Sequence, residues 1–126
     1  MATMRAALVS PERALWEGDA EVVYARTLEG ELGVQPGHVP LLGVLAENGT
    51  VRIHPAGGEK PVIVAVSGGF LSVSDDGVSV LAETAEFADE INVAAARHDL
   101  EQAEPGSSEA LIAEGRLDAA RLAGRS

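Results

Sequence analysis

GELGVQPGHVPLL, residues 30–42, concentrates turn chemistry, a histidine and the start of an apolar run in one short span. Leu32 and Val34 alternate with Glu31, Gly33 and Gln35, the period-two pattern of a strand with one buried face. Gly30, Gly33 and Gly37 supply positions that can take φ > 0, while Pro36 and Pro40 fix φ and remove backbone donors on either side of His38. The stretch reads as a constrained loop between two strands, the second resuming at Leu41-Leu42-Gly43-Val44-Leu45. Glu31, Gln35 and His38 are expected to point outward, and loops on a rigid scaffold carry binding.

On the N-terminal side, residues 4–9 read as a first strand ended by the turn Ser10-Pro11-Glu12-Arg13. Leu15-Trp16-Glu17-Gly18 suggests a bend, and residues 20–27 a second strand rich in β-branched and aromatic side chains. Trp16, the one tryptophan, reads as a core or rim aromatic packed under a turn. On the C-terminal side, Asn48-Gly49 is a two-residue hairpin signal joining residues 41–46 to 50–54. The β-branched run 61–66 predicts a central strand, interrupted by Ser67-Gly68-Gly69 and continued by 70–74; Asp75-Asp76-Gly77 turns, and 78–82 closes the series. Many short strands at regular spacing predict an antiparallel β-sandwich or barrel over residues 1–84.

At Thr84 the pattern changes. Glycine is absent until Gly106, alanine takes over, and Ile91, Ala94, Ala95, His98 and Gln102 recur at helical spacing. Glu86 or Asp89 near the start suits the helix dipole, and Pro105-Gly106 stops the helix. A second helix follows, capped by Ser107 or Ser108, with Glu109 and Glu114 early and Arg116, Arg121 and Arg125 late. The class is mainly β with an α tail: an N-terminal sandwich and a C-terminal helical hairpin over 85–126. The second helix offers few large apolar residues, and Gly115 costs it about 1 kcal/mol against alanine. Such a hairpin needs docking, on the sandwich or on another protein.

A formal charge of −11 argues against nucleic acid as the main partner. The acid is uneven: residues 1–104 hold 17 of the 20 acids and six of the nine bases, so the last 22 residues are neutral overall. The absence of cysteine excludes disulfides and thiol catalysis and suits a reducing cytosol. No apolar run reaches the ~20 residues that span a bilayer, and the first residues lack the apolar core of a signal peptide, so no membrane insertion is expected. His38, His54 and His98 fall on different elements without metal-ligand spacing, and Gly68-Gly69 lacks the spacing and lysine of a phosphate loop. No catalytic, metal or cofactor residue is predicted. A free-standing glycan or small-ligand module is disfavoured by the scarcity of aromatics, and a metal-dependent sandwich enzyme by the lack of ligands.

The GELGVQPGHVPLL loop, with LVSPERALWEGDAEVV (8–23), AVSGGFLSVSDDGVSVLAETAE (65–86) and the helical tail in this order, resembles the epsilon subunit of bacterial F-type ATP synthase over nearly the whole chain. The resemblance implies a non-catalytic central-stalk component, peripheral on the cytoplasmic face of the cell membrane, that binds the gamma subunit and the ring of c subunits. It places Glu31, Gln35 and His38 at or near that interface. It also implies that the tail can restrain ATP hydrolysis and can reach the catalytic alpha and beta subunits, with Arg116, Arg121 and Arg125 available to an acidic region of beta.

One departure matters. Some relatives bind ATP on the tail through Ile-Asp, two residues, then Arg-Ala; here the chain reads Ile91-Asn92-Val93-Ala94-Ala95-Ala96. Asn92 replaces the acid and Ala95 the arginine, and Arg97 is turned roughly 200° around the helix. Residues 83–104 hold seven acids against the single Arg97, which repels a polyphosphate. The isolated protein is therefore not expected to bind ATP, and nucleotide is not expected to set the position of the tail.

Overall fold

The computed structural model describes residues 2–125. Seven strands come first: β1 (Met4–Val9), β2 (Ala14–Thr27), β3 (Gly30–Val34), β4 (Leu41–Val44), β5 (Gly49–Pro55), β6 (Val62–Ser74) and β7 (Gly77–Phe87). A 3-10 turn (Ala88–Glu90) then leads to α1 (Val93–Gln102) and α2 (Ser108–Leu122). The long strands β2, β6 and β7 each serve two layers. Their lower halves join β3 and β5 in one sheet, and their other halves join β1 and β4 in a second. Between the layers lie Leu8, Val23, Val34, Val51, Ile53, Val64, Leu71 and Val80, all fully buried. The core is aliphatic, as the low aromatic content requires.

The sandwich is not wholly antiparallel as expected from the strand spacing. β1 lies between β2 and β7 and runs parallel to β7, which closes the layers into a flattened barrel. Leu15-Trp16-Glu17-Gly18 does not separate two strands: it is the first part of β2, Trp16 lying opposite Leu8 and Gly18 opposite Ala6. The irregularity is one skipped residue, Leu15, between the Val9–Ala14 and Leu8–Trp16 pairs, and the pairing with β5 shifts again between Ala20 and Val22. Trp16 does pack at the core rim, and a Cβ on Gly18 would sit 3.1 Å from its ring.

Asn48-Gly49 is not a hairpin turn. β4 pairs with β6, whereas β5 pairs with β2 and β6, so the chain crosses here from one sheet to the other. Ser67-Gly68-Gly69 does not end a strand either; β6 continues through it. Gly69 has φ +111°, and a Cβ there would lie 2.0 Å from the Leu81 carbonyl oxygen, so only glycine lets β6 bend past β7.

Residues 85–87, expected in the tail, extend β7: Ala85, Glu86 and Phe87 pair with Val66, Ala65 and Val64, following Thr84 opposite Ser67. Alanine content misleads because α1 starts only at Val93, where the Asn92 side chain accepts from the Ala95 N–H at 2.9 Å as N-cap. Ser107 caps α2 in the same way, accepting from the Ala110 N–H.

The two helices form a hairpin that packs on the outer face of the β5 and β6 sheet. Ile63 and Ala65 point outward to meet Ala88, Ile91, Val93 and Ala119, while Val62, Val64 and Val66 point into the sandwich. The continuous apolar run in β6 is thus buried on both faces. Gly115 explains itself here: a Cβ would come within 3.0 Å of the Asn48 backbone carbon and 3.3 Å of the Gly49 carbonyl oxygen. Its absence lets α2 seat on the crossing between β4 and β5, which offsets the poor helix propensity.

Candidate partner-binding surfaces

The loop after β3 does present its polar residues, but not as one group. Glu31 and Gln35 are exposed, and His38 is half-buried, with Nδ1 2.7 Å from the Val39 carbonyl oxygen, which accepts from the Nδ1–H tautomer. Gln35 and His38 line a shallow open groove with Val22, Tyr24 and Pro36. Glu31 instead lines a separate cleft with Arg26, Arg52 and Arg121. Gly30 and Gly37 have positive φ as the turn chemistry predicts. Gly33 does not; it stays in the strand with the Tyr24 ring 3.1 Å from where a Cβ would be, so its role is to admit that ring.

A second surface was not legible as one. Val44 in β4 lies opposite Phe70 in β6, and Phe70 opposite Leu81 in β7. These side chains point away from the core and are 45%, 50% and 50% exposed, with Leu42 two positions along β4 at 72%. Strand alternation requires these positions to be polar if they face water. They form an apolar row across three strands of the sheet that the hairpin does not cover, an exposed patch of the kind that marks interaction sites.

The tail arginines do not form one positive face. Arg116 Nε and Nη2 donate to the two carboxylate oxygens of Glu86 at 2.9 and 3.4 Å, and Nη1 lies 3.8 Å from Asp99. This bidentate pair joins α2 to β7 and α1. Arg121 donates to Asp118 on the surface at 3.2 Å. Arg125 lies beyond the end of α2 and donates to the Ala88 carbonyl oxygen at 2.6 Å, closing the tail onto the 3-10 turn. Spacing along the helix shows only the Arg121–Asp118 pair; the partners of Arg116 and Arg125, Glu86 and Ala88, lie 30 and 37 residues upstream in sequence.

The root of the tail is tied as well. Arg13, in the turn before β2, donates to Glu90 at 2.7 Å and lies over the Phe87 ring. That hydrogen bond holds the Glu90 carboxyl below its ordinary value and raises Arg13. The contact is therefore complete at neutral pH and is lost as acid protonates Glu90 through its lowered pKa. Among the described residues no cluster of three His, Asp or Glu side chains is placed to hold a metal, and no helix is long and apolar enough to cross a membrane.

Residues 3–88 match the family model described as ATP synthase, Delta/Epsilon chain, beta-sandwich domain. The ATP synthase epsilon chain of Corynebacterium aurimucosum is 48% identical over 125 residues, covering 99% of this chain and 97% of that one. That of Rhodococcus erythropolis is 48% identical, covering 98% and 100%. That of Frankia casuarinae is 58% identical over 84 residues, covering 67% of this chain and 96% of its own length. A chain in the Euglena gracilis mitochondrial ATP synthase structure, OSCP/F1/c-ring in rotational state 1, superposes with a TM-score of 0.72 at 25% identity, covering 97% of this chain and 82% of that one.

Proposed function

This chain belongs to the ATP synthase epsilon-chain family, and from that premise we propose that it links the gamma subunit and the c-ring to the catalytic head, with a tail that restrains ATP hydrolysis. As an epsilon chain it is a non-catalytic component of the central stalk. The observation that carries the linking role is the uncovered apolar row Val44, Phe70 and Leu81 on the face opposite the hairpin. A stalk protein must hold a partner on one face through rotation, and apolar burial supplies non-directional affinity. In this reading the row faces gamma, the polar loop with Gln35 and His38 meets the rim of the c-ring, and Glu31 lies beside that loop on the hairpin side. The chain is then held peripherally on the cytoplasmic face of the cell membrane.

Alanine at both Glu31 and His38 is expected to weaken co-purification with gamma and the c-ring from solubilised membranes, while the isolated fold keeps its melting temperature. Unaltered co-purification would remove these two side chains from the interface. The effect is modest, on the order of tenfold, because polar rim residues contribute less than buried anchors.

The tail reading rests on how the hairpin is held. Its contacts with the sandwich are mostly alanine, so little apolar area is buried, and the bidentate Arg116–Glu86 pair supplies the directional part. A partner able to take Arg116, Arg121 and Arg125 must first draw them from these intramolecular contacts. The Frankia relative, scarcely longer than its matched 84 residues, has no room for both sandwich and hairpin. Deleting residues 105–126 is therefore expected to leave assembly intact and to raise ATP hydrolysis severalfold. Equal hydrolysis by truncated and full-length complexes would remove the restraining role and leave the linking role standing.

A further inference from the structure

Three of the nine basic residues meet where the sandwich and the hairpin touch. Arg26 of β2, Arg52 of β5 and Arg121 of α2 line a cleft of about 160 Å³, together with Thr50, Glu31, Asp118 and Leu122. On a chain of charge −11 this convergence opposes the general field. Among the described residues neither Arg26 nor Arg52 has a carboxylate within salt-bridge distance, and only Arg121 is paired, with Asp118. Arg52 is held from below by the Tyr24 ring, 4.6 Å from its guanidinium carbon, and Tyr24 is braced edge-on by His54. Its Nε is the one buried side-chain nitrogen or oxygen without a hydrogen-bond partner among the described residues. A buried charged donor left unpaired is costly, and an ion is one way to satisfy it.

We propose that this cleft binds a phosphate-sized oxyanion, which joins Arg26 and Arg52 of the sandwich to Arg121 of the hairpin. The chemistry follows from the donors. Guanidinium groups present planar, permanently charged N–H pairs that suit tetrahedral oxyanions, and the Thr50 hydroxyl adds a neutral donor. Size sets the class of ligand: pockets for drug-sized molecules hold roughly 300–1,000 Å³, so this cleft admits one phosphoryl group and not a nucleoside. Glu31 and Asp118 are the opposing charges. Asp118 is already engaged by Arg121, and Glu31 faces Arg26 across the β2–β3 pair, so three guanidinium groups against two carboxylates leave the cleft net positive. Neither Asn92 nor Arg97 lines the cleft, so any ATP held here is held by a phosphoryl group and not through the missing nucleotide motif, which departs from the sequence expectation that the chain binds no ATP.

An anion bound to both layers stabilises the docked hairpin by mass action, because it binds the docked form and not the released one. The test uses the full-length chain with inorganic phosphate at constant ionic strength, chloride making up the balance. Saturable binding by calorimetry and a severalfold slowing of amide exchange in residues 108–122 are expected. Arg52→Gln and, separately, the exposed Arg26→Gln should each weaken binding at least tenfold; Arg121→Gln should also abolish the slowing of exchange. Arg26→Gln keeps the test open if Arg52→Gln fails to fold. Tripolyphosphate and ATP form the second arm and should bind alike, through one terminal phosphoryl group. Absence of saturation, binding indifferent to Arg26→Gln, or ATP binding tenfold tighter than tripolyphosphate would each overturn the proposal, the last by showing a site that reads the nucleoside.

Discussion

Glutamate at both Phe70 and Leu81 is expected to reduce co-purification with gamma by roughly 100-fold or more while leaving the free chain folded. In the free chain both side chains are half exposed, so two carboxylates there remain in water, and the cost is a strand-propensity change of up to about 1 kcal/mol each. Once the row is covered, the carboxylates are desolvated without partners. Breaking a buried charge balance in this way costs ~3–5 kcal/mol, and each 1.4 kcal/mol is tenfold in affinity. Lysine at the same two positions should do the same, which separates burial from charge sign on an acidic protein. Retention of gamma by both variants would show that the apolar row faces solvent in the complex, and the proposed placing of gamma would fail.

The second large effect is on the fold itself. Gly69→Ala is expected to destabilise the sandwich by about 4 kcal/mol, a large part of the ~5–15 kcal/mol that holds a domain of this kind. Two causes act together. The backbone at φ +111° disfavours any side chain by ~1–3 kcal/mol, and the Cβ would lie 2.0 Å from the Leu81 carbonyl oxygen inside a paired ladder. Gly57 provides the control, since its φ is +90° but nothing stands within 4 Å of a Cβ there. Gly57→Ala should cost only about 1 kcal/mol. Thermal or urea unfolding of the two variants compares strain alone with strain plus collision; equal losses would mean that β6 and β7 can separate locally without consequence.

The residues that made the fold legible are those whose effect is local. Glycine and proline punctuation, strand alternation and the alanine-rich helices placed a sandwich before a hairpin, and the composition required an aliphatic core. What failed was partner choice. Asn48-Gly49 favours a tight turn locally, yet β4 is drawn to β6 because Leu41 and Leu45 must face the core on a different sheet from Val51 and Ile53. The parallel seating of β1 against β7 has no local signal, since it joins Arg5 to Gly77. Thr84–Phe87 was hidden by a shift in alternation opposite the glycine bend: Ala82 faces in, and then Ala85 and Phe87 do. For the candidate surfaces, Gln35 and His38 could be found from the loop, because turn geometry turns them outward. The apolar row required the register of three strands, and the meeting of Arg26, Arg52 and Arg121 required the docking of a helix.

The parallel seating of β1 also bears on how the chain acquires its structure over time. Arg5 through Val9 find their second neighbour only when Gly77 through Leu81 are available, so the barrel closes by a contact between the two ends of the sandwich sequence. Contacts of such long sequence separation fold slowly, in the millisecond-to-second range typical of β topologies. During synthesis the first strand is made early and can pair with the start of β2 as a hairpin, but its other edge stays open until β7 has emerged. An open edge invites pairing with other chains. Arg5 on that strand, exposed beside Glu17 and Asp19, places charge at the open edge during the interval before closure.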